Sequence, residues 1–117
     1  MGRSPDSTVV DPGGHLVAME NEHVRVLEIR LPQGAELPMH SHPPRVIVAV
    51  NSYRLKSTDK EDRVSIVERR SGETVWSDGE EHAVEVLEGP THTIEIELKK
   101  VGLTLFSPTG RRPTASL

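Results

Sequence analysis

The stretch GAELPMHSHPPRVIVAV, residues 34–50, sets His40 and His42 one residue apart, follows them with Pro43 and Pro44, and runs on into VIVAV, the longest apolar run of the chain. In a β-strand, residues i and i+2 project from one face. The two imidazoles are therefore predicted to point the same way. Metal binding needs at least a third group converging on the same point. Six histidines among 117 residues also produce such a spacing by chance, and a surface pair beside a proline turn would look the same.

Working outward, period-2 patterns recur and no segment keeps a 3.6 period over three turns. HVRVLEIRL (23–31) places Val24, Val26 and Glu28 on one face and Arg25, Leu27, Ile29 and Leu31 on the other. RVIVAVN (45–51) is apolar on both faces. YRLKS, RVSIVERR, ETVWS, HAVEVL, THTIEIELK and LTLF (103–106) follow, separated by polar, glycine or proline breaks. Many short strands at intervals of roughly 8 to 12 residues predict an all-β sandwich or barrel with a cavity between its sheets.

Length and composition agree with one globular domain, 27% charged and 34% hydrophobic. No apolar run approaches the roughly 20 residues of a membrane helix, and the first ten residues carry no secretory apolar core. A cytoplasmic protein without membrane contact is expected. A net charge of −4 and only three aromatics, Tyr53, Trp76 and Phe106, argue against nucleic acid. With no cysteine, a metal must be held by His, Asp or Glu.

Beyond the first stretch, SGETVWSDGEEHAVEV brings Gly72, Gly79 and His82. The pattern Gly34-x5-His40-x-His42 followed by Gly79-x-x-His82 resembles the two motifs of the cupin superfamily. The frame from about residue 20 to 100 is similar to small single-domain bacterial cupins, β-alanine degradation proteins among them. The resemblance implies a cupin-type double-stranded β-helix, a small jelly-roll barrel, over residues 15–108. A flexible arm (1–14) precedes it and a tail (109–117) follows. It also implies that His40, His42 and His82 meet around a divalent metal, with iron, zinc or nickel expected.

The sequence departs from that pattern. Metal cupins mostly carry a Glu three or four residues after the second histidine, where Val46 and Ile47 stand here. By parity counted through Pro43-Pro44, Val46 shares the face of His40 and His42. Asn is common where Val86 stands, and Pro where Ser77 stands. Three neutral imidazoles leave a divalent ion its full charge, which favours an anionic ligand and disfavours Mg²⁺ and Ca²⁺.

Other residues divide between pocket and surface. Val46, Val86, Trp76 and His92 are expected to line the pocket, His92 because it shares parity with Ile94, Ile96 and Leu98. His15 and His23 are expected to be exposed, Glu36, Glu80 and Glu81 to be solvated, and the run EIELKK to be a solvent face. Arg45 adjoins the site but points away from Val46. Thr8–Val10 could pair as a strand with a second copy, and a homodimer is expected. The resemblance implies a metal-dependent enzyme, dioxygenase-like or isomerase-type, acting on a small anionic metabolite. The alternative is a non-catalytic small-molecule binder or a degenerate cupin without metal.

Overall fold

The computed structural model describes residues 2–99. The expected strand LTLF, the tail at 109–117 and the end of the 15–108 domain lie outside the described residues. The alternating segments form nine strands after one short helix. These are α1 (Ser7–Val10), β1 (His15–Glu20), β2 (Val24–Leu31), β3 (Glu36–His42), β4 (Arg45–Ala49), β5 (Tyr53–Asp59), β6 (Val64–Arg69), β7 (Thr74–Ser77), β8 (Glu80–Glu88) and β9 (Thr91–Leu98). They build two antiparallel sheets, β1-β2-β9-β4-β7 and β3-β8-β5-β6. The all-β architecture expected from the strand spacing forms, as the jelly-roll barrel that the cupin resemblance implies. Among the described residues no helix is long and apolar enough to cross a membrane.

The inward parity of β2 fills one part of the interior. Leu27, Ile29 and Leu31 join Val86 of β8, with Ala35, Leu37 and Leu55 packed against them. Leu27 is wholly buried, so truncating it to alanine would cost about 2–5 kcal/mol. Val86 thus belongs to the apolar core and does not line the cavity, a correction to its expected place.

Two breaks in the pleat decide what faces inward. A register shift between Leu37 and His40 lets both residues face the cavity despite opposite parity. Glu36 is left exposed on the outside. At Pro43-Pro44 the chain leaves one sheet and enters the other. Proline has no N–H to give a ladder, and the alternation restarts after it. Arg45 and Ile47 line the cavity and Ala49 is buried, whereas Val46 and Val48 face out. The expectation that Val46 occupies the missing carboxylate's place is corrected: Val46 sits on the outer face, opposite Trp76 and Ile96.

β9 inverts its expected faces. Thr91, Thr93, Glu95 and Glu97 are buried, while Ile94, Ile96 and Leu98 turn outward. His92 follows them to the outside, where its Nε2 lies 2.8 Å from Glu28 Oε2. Its expected pocket position is therefore corrected. The apolar parity of β9 matches outward valines of β2 and β4, in the row Met19–Val26–Ile96–Val46–Trp76 across five strands.

The first residues are not a loose arm. Asp6 caps α1, accepting from the Thr8 N–H, and Ser7 is buried. Ser41 N–H donates to Pro5 O at 2.7 Å, Ser4 donates to Glu81, and Arg25 pairs with Asp6 at 2.9 Å. The segment Thr8–Val10, expected as a strand for pairing, is helical.

Gly79 begins the turn into β8 with φ +102°. A Cβ there would stand 3.1 Å from His42 O and 3.3 Å from Pro43 C. Both the left-handed backbone and the close approach call for glycine. Gly79→Ala is expected to lower unfolding free energy by about 1–3 kcal/mol, read from the urea midpoint at constant m-value. An unchanged midpoint would show that the turn tolerates a side chain.

Candidate metal centre

β3 and β8 run side by side with His40 directly opposite His82, and His42 lies two residues on, on the same face. All three imidazoles are buried, with ring centroids 4.8–5.2 Å apart. One ligand atom from each falls within 4.8 Å of the others. The structure thus brings His40, His42 and His82 together.

The far side of two rings is already engaged. His40 Nδ1 donates to Pro38 O at 2.7 Å, which fixes the proton there and turns the Nε2 lone pair inward. His82 Nδ1 lies 2.9 Å from Ser57 Oγ and 3.3 Å from Glu80 Oε1, leaving its Nε2 for the centre. His40 Nε2 and His42 Nε2 face each other at 3.1 Å. Two nitrogens at about 2.0–2.1 Å from one ion stand roughly 2.9–3.4 Å apart for octahedral to tetrahedral angles. The spacing present fits a shared cation.

Burial and nearby charge favour the neutral form of His40 and His42, the form that ligates. Burial pushes His40 down to about 4, with the Pro38 hydrogen bond opposing and the positive charge of His82, His15 and Arg45 adding to it. Burial and then Arg45 push His42 down further. Glu80 is held at about 2, chiefly by its hydrogen bond to His82.

Behind the imidazoles lies a buried charge network whose carboxylates, Glu80, Glu95 and Glu97, the sequence pattern places in solvent. Arg45, only 2% exposed, puts Nη2 2.9 Å from Glu80 Oε2 and Nε 2.7 Å from Glu95 Oε1. The second contact is close but not aligned as a hydrogen bond. Burial pushes the Glu95 carboxyl up, with Arg45 pulling against it. Glu95 Oε1 also lies 3.8 Å from His42 Nδ1, and Arg25 Nε sits 2.7 Å from Glu97 Oε1. His42, Glu95 and Glu97 are themselves close enough to hold an ion. Their carboxylates already face two guanidiniums, which occupy the place a second cation would take.

The rings open on a cavity of about 280 Å³. Ile29, Leu31, Leu37, Ile47, Leu55 and Val84 form much of its wall. Trp76, which stands in the outer row beside Val46, borders the cavity on β7 along with Val75 and Ser77 and is 52% exposed. His15, expected to be exposed, is buried with its ring 6.2 Å from that of His42 and its Nδ1 3.1 Å from Asp11 Oδ2. The Asp11–His15 spacing of four was the signal available in the sequence. For Glu95 the signal was the Thr91-Thr93-Glu95-Glu97 parity, which is uniformly polar and was assigned to solvent.

Comparison with known structures agrees with the geometry. The chain is similar to a cupin domain from Bordetella pertussis, at 26% identity over 86% of this chain and 99% of that one, with a TM-score of 0.65. An RmlC-like cupin with a double-stranded β-helix from Methanocaldococcus jannaschii aligns over 77% of this chain and 84% of its own, at 14% identity and a TM-score of 0.56. An RmlC-like cupin from Desulfovibrio desulfuricans gives 19% identity over 75% and 86%, with a TM-score of 0.51. No protein-family model and no curated protein matches the sequence. The fold is the cupin double-stranded β-helix, and the likeness to the Bordetella domain supports a place in the cupin superfamily.

Two outcomes follow for the apoprotein. The native His40 pKa lies below its ordinary 6.5. Unfolded chains therefore take up its proton first, and stability held above pH 6.5 is lost as pH falls toward 4. The expected loss from His40 is up to about 3 kcal/mol, seen as a falling urea midpoint between pH 7 and 4 that His40→Gln makes shallower, His42 and His15 contributing the remaining slope. Arg45→Met leaves Glu95 buried without its counter-charge and should cost about 3–5 kcal/mol. Adding Glu95→Gln should recover much of that loss. Equal stability of Arg45→Met and wild type would show that the buried pair contributes nothing.

Proposed function

We propose that the chain is a small metal-dependent cupin. Its centre is held by His40, His42 and His82 and acts on a small anionic metabolite bound in the barrel cavity. The observation that carries this reading is the convergence of three buried imidazoles, two of them with their outer nitrogens already engaged. An all-nitrogen donor set suits iron, zinc or nickel better than Mg²⁺ or Ca²⁺, which want oxygen. When bound, such an ion supplies a Lewis acid, or with iron a redox centre able to use O₂.

The chain's own residues supply the rest. Neutral imidazoles leave the ion's charge uncompensated, so the centre attracts an anion. The apolar wall keeps water few and electrostatic interactions strong. Glu80 and Ser57 hold the His82 ring in place, and the Pro38 carbonyl holds His40. Arg45 is occupied by Glu80 and Glu95, so it braces the centre and is not a substrate anchor. A dioxygenase-like reaction on a small acid is the activity this arrangement supports best.

The test is elemental analysis of protein purified without a chelating tag. About one equivalent of a transition metal is expected, falling to near zero in His40→Ala and His82→Ala. O₂ uptake with candidate small acids should follow the iron content. Sub-stoichiometric metal that is unaltered in both variants would sink the proposal. Val46→Glu, on the outer face, is expected to leave metal affinity unchanged.

A further inference from the structure

The end of the cavity away from the imidazoles carries a second polar constellation. Tyr53 on β5 stands opposite Arg69 on β6, and both line the cavity. Ser57, which touches His82, lies four residues further along β5. At roughly 3.4 Å per residue, the two ends are about 14 Å apart along the strand. Apolar side chains, among them Leu55 and Val67, line the space between.

The two arginines of the cavity differ in their partners. Arg45 is answered by Glu80 and Glu95. Arg69 forms no ion pair among the described residues, and its one hydrogen bond there is from Nη1 to the backbone carbonyl of Glu68 at 3.2 Å. A guanidinium has five N–H donors in a planar fork suited to a carboxylate, so most of its capacity is unused. Thr91 and Thr93, each 3% exposed, line the same cavity, with buried Oγ1 atoms that have no hydrogen-bond partner among the described residues. Buried hydroxyls without partners are costly unless something polar meets them.

We infer that Arg69 is the carboxylate anchor of the site. The substrate is then an elongated carboxylic acid with an apolar middle, its acid group on Arg69 and its other end at the imidazoles. Thr91 and Thr93 offer hydroxyls to a polar atom along its length. The cavity holds about nine water volumes, which suits an acid of on the order of ten non-hydrogen atoms. This inference rests on the proposed metal centre only for the far end of the ligand. The anchor is a property of the β5–β6 end.

Calorimetric titration of Co²⁺-loaded and metal-free protein with straight-chain acids of four to eight carbons, beside the matched amides, tests it. Wild type is expected to bind at least one acid tenfold or more tighter than its amide. R69Q should lose that preference while keeping the wild-type Co²⁺ affinity, and R69K should retain part of it. Failure of wild type to bind Co²⁺ overturns the metal centre, whereas Arg69-dependent acid binding by the metal-free protein still supports the anchor. Acid binding by R69Q equal to wild type, or no preference for acid over amide in either form, overturns the anchor.

Discussion

A single buried guanidinium, that of Arg45, holds the molecule's interior in register. It projects from the first residue of one sheet's β4, reaches Glu80 on the other sheet, and touches Glu95 on its own. A charge 2% exposed is tolerable only because carboxylates meet it there. Once Arg45 must face inward, Ile47 and Ala49 follow, Val46 and Val48 face outward, and β9 must offer Glu95 to the interior and Ile94 to the exterior. The same guanidinium helps keep His42 unprotonated.

The cavity is consequently graded along its length. Charge and imidazole crowd one end, the middle is apolar, and a less encumbered arginine stands at the other. Buried groups at the crowded end are mostly committed to one another, which makes that end stiff. At the opposite end the Arg69 guanidinium meets only the Glu68 backbone carbonyl among the described residues. Such an asymmetry would suit an elongated ligand held at one end and oriented from the other.

The sequence made the strand architecture and the three histidines legible, since alternation and the HxH spacing are local signals that survive folding. It misplaced Val46 because parity was carried through Pro43-Pro44, where the backbone changes sheets. It misplaced Glu95, Glu97 and His92 because charge was read as solvent exposure and apolar parity as core. In β9 the reverse holds, since the buried carboxylates are paired with Arg45 and Arg25 from other strands, at sequence separations of 50 and 72 residues. No local pattern announces such a partner. His15 went unrecognised for the same reason, because the fold and not the chain brings it beside His40 and His42.

All three imidazoles belong to strands of one sheet, β3 and β8, which are already hydrogen-bonded to each other. An ion seated there would bridge neighbours that need no bridging, and the joining of the two layers falls to Arg45 and the leucine-rich interior. Unlike a small zinc module, whose architecture collapses when its ion leaves, this shell has its own mechanical integrity. Exchange of one ion for another would thereby be separated from folding, and the identity of a bound cation would follow from the ligand chemistry of the site.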